Sequence, residues 1–86
     1  MTDLFDTAVE EVKVLKQRPE KLEMIELYGL YKQATVGDVN IEYPGMFDFM
    51  AKGKWNAWNA KKGVSREEAM DMYVKLVDTL KDKYGI

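Results

Sequence analysis

The last quarter of the chain imposes the tightest constraint on the fold. After Ser65, the residues Ala69, Met72, Tyr73, Leu76, Val77, Leu80 and Tyr84 recur at the spacing that gathers one face of an α-helix. Ser65-Arg66-Glu67-Glu68 opens the stretch as a capping box, in which a serine hydroxyl and a glutamate carboxylate satisfy reciprocal backbone donors, and Gly85 stands where such a helix ends. A strand would need alternation with period two, and none persists in these 86 residues. The expectation is an all-α fold and, at this length, one domain over residues 1–86.

Three further amphipathic segments precede it. The first is expected over Leu4–Lys16, with Asp3 as N-cap, a stripe of Phe5, Ala8, Val9, Val12 and Leu15, and Pro19 as its stop. The second runs over Lys21–Val36 and ends before Gly37. Met24, Leu27, Tyr28, Tyr31, Ala34 and Thr35 share its inner face, flanked by Ile25 and Lys32, while Glu23, Glu26, Gly29 and Gln33 lie opposite. The third covers Ala51–Lys61, although Gly53 is a poor interior residue. Between the second and third lies a long loop, Gly37–Met50. Its content of Val39, Ile41, Tyr43, Met46, Phe47 and Phe49 predicts packing against the bundle.

Composition narrows the function. The chain is 47% hydrophobic and 33% charged, which excludes the disordered class. With no cysteine and no histidine, it lacks a thiolate nucleophile, an imidazole acid–base and a zinc-binding set, and neighbouring acids such as Glu10-Glu11 diverge on a helix surface. No catalytic residue, metal ligand or cofactor site is nominated. Thirteen basic against 15 acidic residues argue against nucleic-acid binding. No apolar run approaches the ~20 residues that span a bilayer. The acidic opening Met1–Asp6 lacks the features of a secretory signal, so a cytosolic protein is expected.

Two groups of residues stand out. Tyr28, Tyr31 and Lys32 emerge on adjoining parts of one helical face, where phenols and an ammonium suit a phosphorylated nucleotide. Spacing alone also fits core tyrosines with a snorkelling lysine. Lys54 lies in the stretch 49–66, which holds Lys52, Lys54, Lys61, Lys62 and Arg66 but no acid, beside Trp55 and Trp58, both read as core. Tyr73 is open to either a core or a ligand role.

Together these segments resemble the acyl-CoA-binding protein family. The likeness spans essentially the whole chain and is carried by Tyr28-Gly-Leu-Tyr-Lys-Gln-Ala-Thr-Val-Gly-Asp38, Tyr43-Pro-Gly-Met-Phe-Asp48, Lys52-Gly-Lys-Trp-Asn-Ala-Trp58 and Lys83-Tyr-Gly-Ile86. The resemblance implies a four-helix up-down-down-up bundle that binds long-chain acyl-CoA, carries it without reacting, and hands it transiently to enzymes as a monomer. It implies that Tyr28, Tyr31 and Lys32 grip the 3′-phosphate and nucleotide, that Lys54 contacts phosphate and adenine, and that Tyr73 lies beside the ligand. Lys13 is implied near the CoA head, and Arg18 stands where a lysine is usual. The acyl-chain cleft would be lined near Val9, Met24, Ile25 and Leu27, with Met50 and Gly53 opposite. Met50 departs from a lysine common in relatives. The same residues leave two rivals open, a helical interaction module and a regulatory peptide precursor.

Overall fold

The computed structural model describes residues 2–86. They form four helices and no strand: α1 Thr2–Val12, α2 Lys21–Thr35, α3 Phe49–Asn59 and α4 Arg66–Tyr84. No helix among the described residues is long and apolar enough to cross a membrane.

The ends of the helices depart from the sequence expectations for local reasons. Asp3 is not an N-cap but an acid in the first turn of α1, where it complements the helix dipole. α1 stops at Val12, well before Pro19, and its last turn tightens into i→i−3 bonds from the Lys13 and Val14 amides to the Glu10 and Glu11 carbonyls. The chain after it is held by the far terminus, since the Lys16 amide donates to the Gly85 carbonyl at 3.0 Å. α2 begins at a glutamate: the Glu20 amide donates to the Glu23 carboxylate at 2.8 Å. α3 starts earlier than expected because the Asp48 side chain accepts from the Ala51 amide at 3.2 Å. At α4 the Ser65 hydroxyl accepts from the Glu68 amide at 3.1 Å, which is the serine half of the expected box.

Contacts at both ends of each pair give the topology. α1 and α4 run parallel, with Leu4 beside Met70 and Val74 at one end and Glu11 paired with Lys81 at 2.8 Å at the other. α2 runs opposite to α4. Arg66 donates to the Ala34 and Thr35 carbonyls, and at the far end Lys83 and Tyr84 both reach the Glu23 carboxylate. α3 runs parallel to α2, its Lys54 beside Tyr28 and its Trp58 beside Lys32. The bundle is therefore up-down-down-up, as the resemblance implied.

The apolar core lies between α1, α2 and α4 and is built from Phe5, Ala8, Leu27, Leu30, Ala34, Ala69, Tyr73, Val77 and Leu80. α3 packs on the other side of α2, outside this core. That arrangement corrects the outward face expected for α2, because Gly29 and Gln33 are buried. A helix that touches neighbours on two sides has no single polar face, and the apolar contacts with α4 alone set the readable stripe. Gly29 is where α3 comes closest: a Cβ there would lie 2.4 Å from the Ala57 carbonyl oxygen. Gln33 donates to the Val64 carbonyl at 2.7 Å and to the Asp38 carboxylate at 2.8 Å, pinning the loops on either side of α3.

The loop after α2 is anchored, though not as expected. Its backbone is held by indoles: Trp58 donates to the Gly37 carbonyl at 2.7 Å and Trp55 to the Ile41 carbonyl at 2.8 Å. Trp58 is buried as expected, whereas Trp55 is half-buried. Of the apolar side chains of the loop, Val39 is half-buried and Tyr43 packs edge-on against Trp55 at 5.1 Å, whereas Ile41, Met46 and Phe47 are exposed.

Candidate functional site

α2 and α3 leave a groove of about 710 Å³ between their N-terminal halves. α2 lines it with Met24, Ile25 and Tyr28, α3 with Phe49, Met50, Gly53, Lys54 and Ala57, and the turn before α2 with Arg18, Pro19 and Lys21. Its size falls in the range of ~300–1,000 Å³ usual for small-molecule sites. Met24 and Ile25 belong to the apolar stripe read from the sequence, yet both are 38% exposed because they face this groove and not a neighbouring helix.

The groove is chemically polarised. At the end near the helix N-termini, Met24, Ile25, Phe49 and Met50 supply apolar surface. Further along, the Lys54 ammonium stands 5.7 Å from the Tyr28 ring centroid. One turn beyond, the Lys32 ammonium stands 4.7 Å from the Trp58 centroid. Each aromatic face holds a cation in place through its quadrupole, worth ~0.5–1 kcal/mol at exposed sites. Lys32 and Lys54 carry no ion pair among the described residues, whereas neighbouring Lys61 is bound to Glu26. Two positioned, unneutralised ammonium groups beside aromatic rings have the chemistry to hold an anion joined to a planar group.

Tyr31 is 40% exposed and connects this region to the core. Its ring stacks on Phe5 with centroids 6.1 Å apart and lies 6.3 Å from Tyr73, which meets Phe5 edge-on at 5.1 Å. Tyr73 is buried under this cluster. Burial pushes its phenol up to about 12, with Tyr31 adding to the rise, so the hydroxyl stays a neutral donor across the physiological range. Neither Tyr31 nor Tyr73 lines the groove.

The remaining residues implied by the resemblance divide cleanly. Met24, Ile25, Met50 and Gly53 line the groove. Leu27 is in the core, and Val9 packs against that core from α1. Lys13 follows α1, exposed and paired with Glu10 at 3.0 Å, and is not among the groove residues. Phe49 and Ala57 were not anticipated. Had α3 been read from the Asp48 cap, Phe49, Gly53 and Ala57 would have stood out at i, i+4 and i+8 on one face.

Comparisons with known proteins agree with this arrangement. The sequence model of the family described as Acyl CoA binding protein matches residues 2–77. The fold is similar to the crystal structure of acyl-CoA-binding protein 2 from Oryza sativa, with a TM-score of 0.91 and 40% identity over 95% of this chain and 91% of that one. It is similar to the crystal structure of the protein from Moniliophthora perniciosa, with a TM-score of 0.91 and 41% identity over 100% of this chain and 85% of that one. It is also similar to the solution structure of the yeast acyl coenzyme A binding protein, with a TM-score of 0.78 and 44% identity over the full length of both chains. The chain belongs to the acyl-CoA-binding protein family.

Proposed function

We propose that this protein binds long-chain acyl-CoA thioesters and carries them unreacted, as a cytosolic monomer that releases them to acyl-CoA-using enzymes. The observation that carries this reading is the polarity of the groove, with an apolar end at Met24, Ile25, Phe49 and Met50 and a cationic, aromatic end at Tyr28 and Lys54, one helical turn from Lys32, which lies outside the groove lining over the Trp58 ring. An acyl-CoA has the same polarity, an alkyl tail joined to a phosphorylated nucleotide. The tail lies between α2 and α3, and the phosphates and adenine lie against Tyr28, Tyr31, Lys32 and Lys54.

The magnitudes are sufficient. Withdrawing a sixteen-carbon tail from water is worth about 0.8 kcal/mol per methylene, roughly 12 kcal/mol as an upper bound. Ordering the tail and losing translational freedom cost several kcal/mol. Charge-assisted bonds from the two lysines and the phenols return ~1.5–3 kcal/mol each. A dissociation constant in the roughly submicromolar to nanomolar range follows. Carriage without reaction is supported by the side-chain inventory, which holds no histidine and no cysteine.

Titration calorimetry with palmitoyl-CoA tests the assignment. Lys32→Ala and Tyr31→Asn each weaken binding by about tenfold or more, the equivalent of ~1.4 kcal/mol, with far-UV circular dichroism unchanged. Unaltered affinity in both variants removes the headgroup site.

A further inference from the structure

The loops that follow α2 and α3 are tied to each other by one carboxylate. Asp38 Oδ1 accepts from the Gly63 amide at 2.9 Å and from the Gln33 side-chain amide at 2.8 Å. Those two donors hold its carboxyl below the ordinary value of 3.8. Gln33 is 1% exposed and uses its second N–H on the Val64 carbonyl at 2.7 Å. At the same junction the Trp58 indole reaches across from α3 and donates to the Gly37 carbonyl at 2.7 Å. Three hydrogen-bonded links therefore hold the turn at Gly37-Asp38 against the end of α3.

That indole is also the seat of a cation. The Lys32 ammonium stands 4.7 Å from the Trp58 ring centroid, and among the described residues no ion pair fixes it in another way. Its position follows the ring, and the ring follows the turn to which its N–H is bonded. A free lysine gives up rotamer freedom when it grips an anion, whereas one already held gives up little. Asp38 does not line the groove, and its negative charge bars it from touching a phosphate itself. We infer that Asp38 is a positioning residue, which keeps the Gly37–Trp58 contact in register and so places the Lys32 ammonium for an anionic headgroup. The effect on affinity rests on the carrier reading, while the placement belongs to the ligand-free protein.

Proton NMR of the full, ligand-free chain reads the placement, because the ring current of Trp58 moves the Lys32 side-chain methylenes upfield. In Asp38→Ala that shift is expected to collapse toward the value of a free lysine. The Lys54 methylenes beside the Tyr28 ring keep theirs, which verifies the fold. Asp38→Asn restores the Lys32 shift, since an amide oxygen accepts from the same two donors. Asp38→Ser, whose hydroxyl is too short to serve both, gives the same loss and replaces the alanine variant if that one does not fold. In calorimetry Asp38→Ala weakens palmitoyl-CoA binding by about threefold to tenfold and adds nothing in a Lys32→Ala background. A collapsed shift with unaltered affinity would support the placement and count against the headgroup site of the carrier reading. Two results would overturn the inference: Lys32 shifts that stay put in both the alanine and serine variants, or a loss of affinity as large in Lys32→Ala as in the wild type.

Discussion

Two glycines in neighbouring helices offer a controlled test of how the groove is built. Both Gly29 in α2 and Gly53 in α3 are interior helical positions, so alanine at either gains about 0.5–1 kcal/mol in helix propensity. Their surroundings differ. A Cβ on Gly53 meets nothing within 4 Å, whereas a Cβ on Gly29 would lie 2.4 Å from the Ala57 oxygen and 3.0 Å from the Ala57 carbonyl carbon. Those atoms are backbone, so no rotamer change relieves the clash and α3 has to move away from α2. Overpacking costs ~1–3 kcal/mol, and a backbone obstacle places this case at the upper end. Gly53→Ala is therefore expected to stabilise the protein by about 0.5–1 kcal/mol, and Gly29→Ala to destabilise it by a net ~1–2 kcal/mol. At about 4–8 °C per kcal/mol for a domain of this size, their Tm values should differ by on the order of 10 °C. Urea and thermal unfolding followed by circular dichroism measure both variants. A Gly29→Ala protein as stable as wild type would refute the close approach that defines the groove.

Other outcomes follow from the same geometry. Glu23 accepts from Tyr84 and Lys83, which hold its carboxyl below the ordinary value of 4.5. A depressed carboxyl contributes stability that is complete above its unfolded value and is lost as pH falls through the folded one, so urea midpoints should drop on acidification and drop less in Glu23→Gln. The Tyr73 phenol should ionise near pH 12 in an ultraviolet difference titration, and ionisation at the ordinary value of 10.0 would contradict its burial. Lys54→Ala should weaken palmitoyl-CoA binding by about tenfold or more and leave the unfolding free energy within about 0.5 kcal/mol of wild type, since among the described residues the ammonium makes no ion pair and stands over the Tyr28 ring.

Helix identity was legible because the apolar spacing of α1, α2 and α4 reflects one shared core. The ends were harder to read. A glutamate opens α2 and an aspartate brings α3 forward to Phe49, while α1 closes with no breaker residue at all. α2 shows why the groove roles of Met24 and Ile25 came from the family resemblance and not from periodicity. Its expected face mixes Leu27 and Ala34, which belong to the core, with Met24 and the flanking Ile25, which face open groove, and it omits the fully buried Leu30; periodicity cannot separate buried apolar groups from those awaiting a ligand. Gly29 looked like a surface residue because closeness to another backbone leaves no hydrophobic trace. The lysines Lys32 and Lys54 were visible in the sequence, but the aromatic rings beneath them are contributed by the opposite helix and only the fold pairs them.

Titration calorimetry comparing palmitoyl-CoA with free palmitate separates what the headgroup contributes from what the tail contributes. The tail is the same, so the difference isolates the contacts of Tyr28, Tyr31, Lys32 and Lys54 with the nucleotide and its phosphates. Two charge-assisted bonds at ~1.5 kcal/mol or more predict palmitate binding at least about a hundredfold weaker. Equal affinities would mean that the groove recognises alkyl chains alone and that Tyr28, Tyr31, Lys32 and Lys54 form no headgroup site.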